Sequence, residues 1–126
     1  MPEQLDLFVE SKETEKSDFE IHLKTSDKYR ILYFDLETQK SADDVGGWDY
    51  AKLMRLAVGV VWDSLEEKFF SYVEDEATQL AEKLKTADLV IGFNVLKFDY
   101  EVLKPYAKKA GVSLDKITTF DMLVDI

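Results

Sequence analysis

Asp35 and Glu37 stand two residues apart at the end of the apolar run Ile31-Leu32-Tyr33-Phe34, and Asp99 follows a second apolar run, Leu89-Val90-Ile91-Gly92-Phe93. Alternate side chains of a strand share a face, so Asp35 and Glu37 project to the same side. Three carboxylates gathered at strand ends suit hard, oxygen-seeking divalent ions such as Mg²⁺ or Mn²⁺. Ions held this way serve phosphodiester hydrolysis without a side-chain nucleophile. The sequence has no cysteine and a single histidine, His22. Disulfides, thiolate metal sites and a Cys nucleophile are therefore excluded.

The elements that must carry these acids follow from periodicity. Ile31 to Phe34 reads as a strand buried on both faces. Residues 39–50, with Ser41, Asp43, Asp44 and the Gly46-Gly47 pair, read as a loop. Leu53 to Trp62 and Phe69 to Val73 read as strands joined by a tight turn, an antiparallel hairpin. Ala77, Leu80, Ala81 and Leu84 mark one helix face, with Asp75 as its predicted N-cap. Leu89 to Phe93 is a fourth strand. Phe98, Val102, Leu103, Tyr106, Ala107 and Ala110 mark a second helix ending at Gly111, and Pro105 should kink or split it near Lys104. Ile117 to Phe120 is a fifth strand, and Asp121 reads as a cap for whatever follows. The order is β-β-β-α-β-α-β. Right-handed crossovers then make the first, fourth and fifth strands parallel, with the first one central. That topology sets the ends of the first and fourth strands side by side.

The 126 residues suffice for one domain with one core. No apolar run approaches the roughly 18 residues a bilayer crossing needs, and the polar, acidic start is unlike a signal peptide. A cytoplasmic setting is expected. The net charge of −10 argues against holding nucleic acid by broad charge neutralisation, but not against metal-assisted attack on a phosphate.

Phe34-Asp35-Leu36-Glu37-Thr38 resembles the first motif of the DEDD-type 3′–5′ exonucleases of the ribonuclease H-like superfamily. Asn94-Val95-Leu96-Lys97-Phe98-Asp99 resembles their second motif, in the form found in family B DNA polymerases and stand-alone relatives. The likeness covers about residues 30–122. It implies an α/β fold, a ribonuclease H-like mixed sheet of about five strands with flanking helices. It also implies two divalent ions, Mg²⁺ or Mn²⁺, about 4 Å apart, with Asp35 bridging them, Glu37 on one and Asp99 on the other. Asn94 would position the loop or the terminal nucleotide, and Thr38 and Phe98 would contact substrate, the 3′ end of single-stranded DNA or RNA; Trp48, in the loop after the first motif, could stack on an unpaired base or cover the sheet edge. The family carries a fourth acid in a later motif, preceded by a Tyr or His. The chain stops short of that motif, so residues 30–126 are expected to be a C-terminally truncated exonuclease domain. A catalytically inactive module of the same fold, and another ribonuclease H-like nuclease, are the alternatives.

Residues 1–29 read as a flexible tail. Glu10 to Asp18 is charged and aperiodic, while Phe19, Ile21 and Leu23 alternate as in a short edge strand. Gln4-Leu5-Asp6-Leu7-Phe8 resembles the peptide by which bacterial replication and repair proteins bind the sliding clamp. Leu7 and Phe8 would be its anchors, with Gln4 and Leu5 beside them. Such a tether raises effective concentration at DNA.

Overall fold

A computed structural model describes residues 29–125. The 4–8 peptide and the alternating segment at Phe19, Ile21 and Leu23 lie outside the described residues.

The elements, in chain order, are β1 (Ile31–Thr38), a short helix α1 (Ala42–Val45), a 3₁₀ turn (Trp48–Leu53), β2 (Leu56–Asp63) and β3 (Lys68–Val73). After them come α2 (Ala77–Lys85), β4 (Leu89–Gly92), a π-helical turn (Val95–Asp99), α3 (Tyr100–Ala110) and β5 (Thr119–Asp121). The five strands form one mixed sheet in the order β3-β2-β1-β4-β5. β1 pairs antiparallel with β2 and parallel with β4, and β4 pairs parallel with β5. The central first strand and the parallel crossovers are as the element order predicts.

Four local expectations are corrected. The region 39–50 is not a bare loop: Ser41 caps α1, accepting from the Asp44 N–H while the Asp44 carboxylate accepts from the Ser41 N–H. β2 begins at Leu56, because Trp48–Leu53 closes into a 3₁₀ turn first. Asp75 does not cap α2. A 3₁₀ turn, Glu74–Glu76, leads into the helix, and the Glu76 carboxylate accepts from the Val73 N–H. Pro105 does not split α3, which runs unbroken from Tyr100 to Ala110. Its ring lies on the exposed side, where the carbonyl it leaves unpaired can meet water.

Both long helices serve one face of the sheet. Leu32, Phe34 and Leu36 of β1 and Val61 of β2 point to that face and are buried with Leu80, Ala81 and Leu84 of α2 and Val102, Leu103 and Ala107 of α3. Each fully buried Leu or Phe there contributes roughly 1.5–3 kcal/mol. Gly59 makes the approach of α2 close, since a Cβ there would stand 2.5 Å from Leu80 Cδ2. The other face carries the out-of-phase residues of β1, among them Tyr33, Asp35 and Glu37.

Candidate metal centre

Asp35 and Glu37 lie inside β1 rather than after it, since the strand runs on to Thr38. The alternation that buries Phe34 and Leu36 turns both acids outward, and both are exposed. The β1–β2 register shifts between Glu37 and Thr38. Such an irregularity re-aims the side chains beside it.

Asp99 arrives by a different route. β4 ends at Gly92, and a Cβ there would stand 2.8 Å from the Phe34 carbonyl oxygen. Only glycine lets the chain cross β1 so closely. Asn94 then takes the left-handed conformation, φ 56°, which Asn tolerates better than most residues. From there Val95–Asp99 winds as a π turn directly into α3. The wider turn carries Asp99 inward, to 2% exposure. Its Oδ2 is buried with no hydrogen-bond partner. Burial, and after it the charge of neighbouring Asp35, push the Asp99 carboxyl up to about 7, and Asp121 adds in the same direction. The backbone N–H groups of Asp99 itself and of Leu36 oppose the rise without cancelling it.

An unpartnered, desolvated carboxylate oxygen under the influence of a second negative charge is a position that a cation would favour. The donor set fits a hard divalent ion. Yet among the described residues no three His, Asp or Glu side chains gather into a metal-holding group. The three acids expected to converge do not form such a group: Asp35 acts on Asp99 as a neighbouring charge, while Glu37 lies two residues, about 6.6 Å, further along β1.

The other expected contacts divide similarly. Trp48 packs edge-to-face on Phe98, ring centroids 5.6 Å apart at 71°, and is 70% exposed. With Thr38, Ser41 and Met54 the two rings line a cleft of about 280 Å³. The Thr38 hydroxyl donates to the Lys40 carbonyl at 2.8 Å, so it braces the loop. Asn94 contributes its backbone: its N–H donates to Asp121 and its carbonyl accepts from Phe98. On the open sheet face Asp35 also borders an aromatic groove of about 740 Å³ with Tyr33, Trp62, Phe69 and Phe93.

Asp121 caps in both directions, forwards onto Leu123 and backwards onto the turn after β4. Fully buried, it accepts from the N–H groups of Asn94 (2.8 Å), Leu96 (3.0 Å) and Leu123 (3.0 Å). Its place at a strand end signalled a cap, but sequence spacing does not show a partner 25 residues upstream.

The 39–55 excursion is pinned at its neck. Gln39 and Lys40 N–H groups donate to the Arg55 and Met54 carbonyls. Arg55, itself left-handed at φ 63°, grips both carboxylate oxygens of Glu74 at 2.6 and 2.8 Å. The Tyr106 hydroxyl donates to Glu74 and accepts from the Leu56 N–H. Arg55, with the Tyr106 hydroxyl next, holds the Glu74 carboxyl down at about 2.

No protein-family profile and no curated protein matches the sequence. Among solved structures, the zinc-bound form of E. coli exonuclease I in complex with single-stranded DNA is similar, with TM-score 0.50 and 12% identity over 75% of this chain. The same enzyme with a dA16 oligonucleotide gives 0.49 and 12% over 75%. The family B DNA polymerase of the hyperthermophilic archaeon Pyrobaculum calidifontis gives 0.49 and 22% over 68%. The chain spans 28% of the exonuclease and 12% of the polymerase. At these identities the likeness concerns the fold alone, an α/β mixed sheet with flanking helices. Among the described residues no helix is long and apolar enough to cross a membrane.

Proposed function

We propose that this chain carries the metal-binding half of a 3′–5′ exonuclease domain that hydrolyses phosphodiester bonds at single-stranded DNA or RNA ends. The observation that carries the reading is the buried, unpartnered Oδ2 of Asp99 beside Asp35. Asp35 and Asp99 would hold a divalent ion, Mg²⁺ or Mn²⁺, with Glu37 turning in from the same strand face. An ion held by these residues would supply water activation and charge stabilisation of the departing 3′ oxygen. The chain's own residues do the rest. Trp48 and Phe98 offer faces on which unpaired bases stack, a sequence-tolerant contact. Leu36 backbone and the π turn fix the acids relative to that cleft. The likeness of fold to an exonuclease solved in complex with single-stranded DNA supports the same reading.

The Gln4–Phe8 peptide would tether the domain to a bacterial sliding clamp, in the cytoplasm, during DNA replication or repair. The second reading is a nuclease-fold module without catalysis, favoured by the absence of a three-carboxylate group among the described residues. Calorimetric titration with Mn²⁺ and Mg²⁺ tests the first. The chain should bind divalent metal, and Asp35→Asn should abolish it. No heat at millimolar metal would overturn the reading.

A further inference from the structure

Two buried acids flank the candidate centre, and only Asp99 has an empty oxygen. Asp121 is saturated. Its Oδ1 takes the Asn94 and Leu123 N–H groups and its Oδ2 takes the Leu96 N–H. Met122 N–H closes the same knot by donating to the Gly92 carbonyl at 2.8 Å. Every one of these bonds lands on the segment between β4 and α3 or on the turn that follows β5. That segment has little else to define it: a left-handed Asn, a single π turn, and a glycine that lets it cross β1. A charged acceptor for orphan N–H groups at the start of a helical segment is a strong restraint, since hydrogen bonds to ionised groups are stronger than neutral ones.

We infer that Asp121 is a positioning residue: its buried carboxylate gathers the 94–99 turn and so sets where Phe98 and Asp99 stand relative to Trp48 and Asp35. The inference deepens the metal reading and rests on it for its functional meaning. Asp121 itself touches neither substrate nor ion. Replacing it by Asn substitutes an amide NH₂ for one acceptor, setting donor against donor.

The test pairs Asp121→Asn with Asp63→Asn, another fully buried aspartate that accepts backbone N–H groups, of Leu65 and Glu66, at a distance from the centre. Amide exchange at Asn94 and Leu96 and the Trp48–Phe98 ring contact are read by NMR. Mn²⁺ affinity is read by calorimetry. Asp121→Asn should speed exchange at both amides at least tenfold, weaken the ring contact and lower Mn²⁺ affinity about tenfold. Asp63→Asn should lower the melting temperature and leave all three readouts alone. Should Asp121→Asn not fold, Asp121→Ser, which keeps one acceptor, carries the same expectations. A fall in melting temperature alone, with amides, ring contact and affinity as in the unaltered chain, overturns the inference. If the unaltered chain takes up no Mn²⁺ while the loop readouts still change, the metal reading falls and the positioning role stands.

Discussion

Asp63 and Asp99 are both buried aspartates, yet they sit in opposite electrostatic settings. Asp63 ends β2, paired across from Leu32 near the start of β1. Its carboxylate takes Lys83 Nζ at 2.6 Å, two backbone N–H groups, and Arg30 Nε at 3.4 Å. Burial pushes its carboxyl up, but Lys83 and the Glu66 and Leu65 N–H groups outweigh burial and hold it below the ordinary value. Asp99 has the same burial, no cation, and a like charge as neighbour. One site is a finished ion pair serving the fold. The other is a buried carboxyl with an unpartnered oxygen, the kind of perturbed group that clusters at functional sites.

Breaking the finished pair should have a large destabilising effect. Lys83→Met leaves Asp63 charged and short of its strongest partner, and should cost about 3 kcal/mol in denaturant unfolding at pH 7. The contribution is present above pH 3.8 and disappears as pH falls through the lowered value of Asp63. Removing the unfinished charge should do the reverse. Asp99→Asn should stabilise the metal-free chain by about 2–4 kcal/mol at pH 8. The sign follows from Asp99 being raised from 3.8 to about 7 on folding. Below pH 4 both states are protonated and the gain vanishes. Between 4 and 7 the unfolded chain alone ionises, so the unaltered protein loses stability as pH climbs. Equilibrium unfolding at pH 4, 6 and 8 reads the difference.

The brace under the 39–55 excursion gives smaller effects. Tyr106→Phe strands the Leu56 N–H, and should cost about 1 kcal/mol in thermal unfolding. Arg55→Ala releases an exposed pair and should shift the melting temperature least. What Arg55 does contribute should be present above pH 4.5 and lost as Glu74 is protonated toward pH 2.

The sheet order was legible because the apolar runs, the two helix faces and the crossover rule all point to one topology. The acids were legible as a same-face pair plus one, since strand alternation fixes Asp35 and Glu37. Other features come from contacts far apart in sequence. Nothing local to Asp63 announces Lys83, and nothing local to Asp121 announces the 94–99 turn. The π turn that buries Asp99 depends on Gly92 passing the Phe34 carbonyl. Helix α1 is locally signalled by Ser41 three residues before Asp44, but the Gly46-Gly47 pair beside it is an equally local signal for a loop.

Asp99 and Asp35 are proposed to hold a divalent cation together. Mn²⁺ titrations of the unaltered chain and Asp99→Asn, at pH 6 and pH 8, test this most directly. Because the ion must displace a proton held near pH 7, affinity of the unaltered chain should be about tenfold higher at pH 8 than at pH 6, and Asp99→Asn should bind weakly or not at all at either pH. Equal affinities for the two proteins, unchanged between the two pH values, would contradict the account.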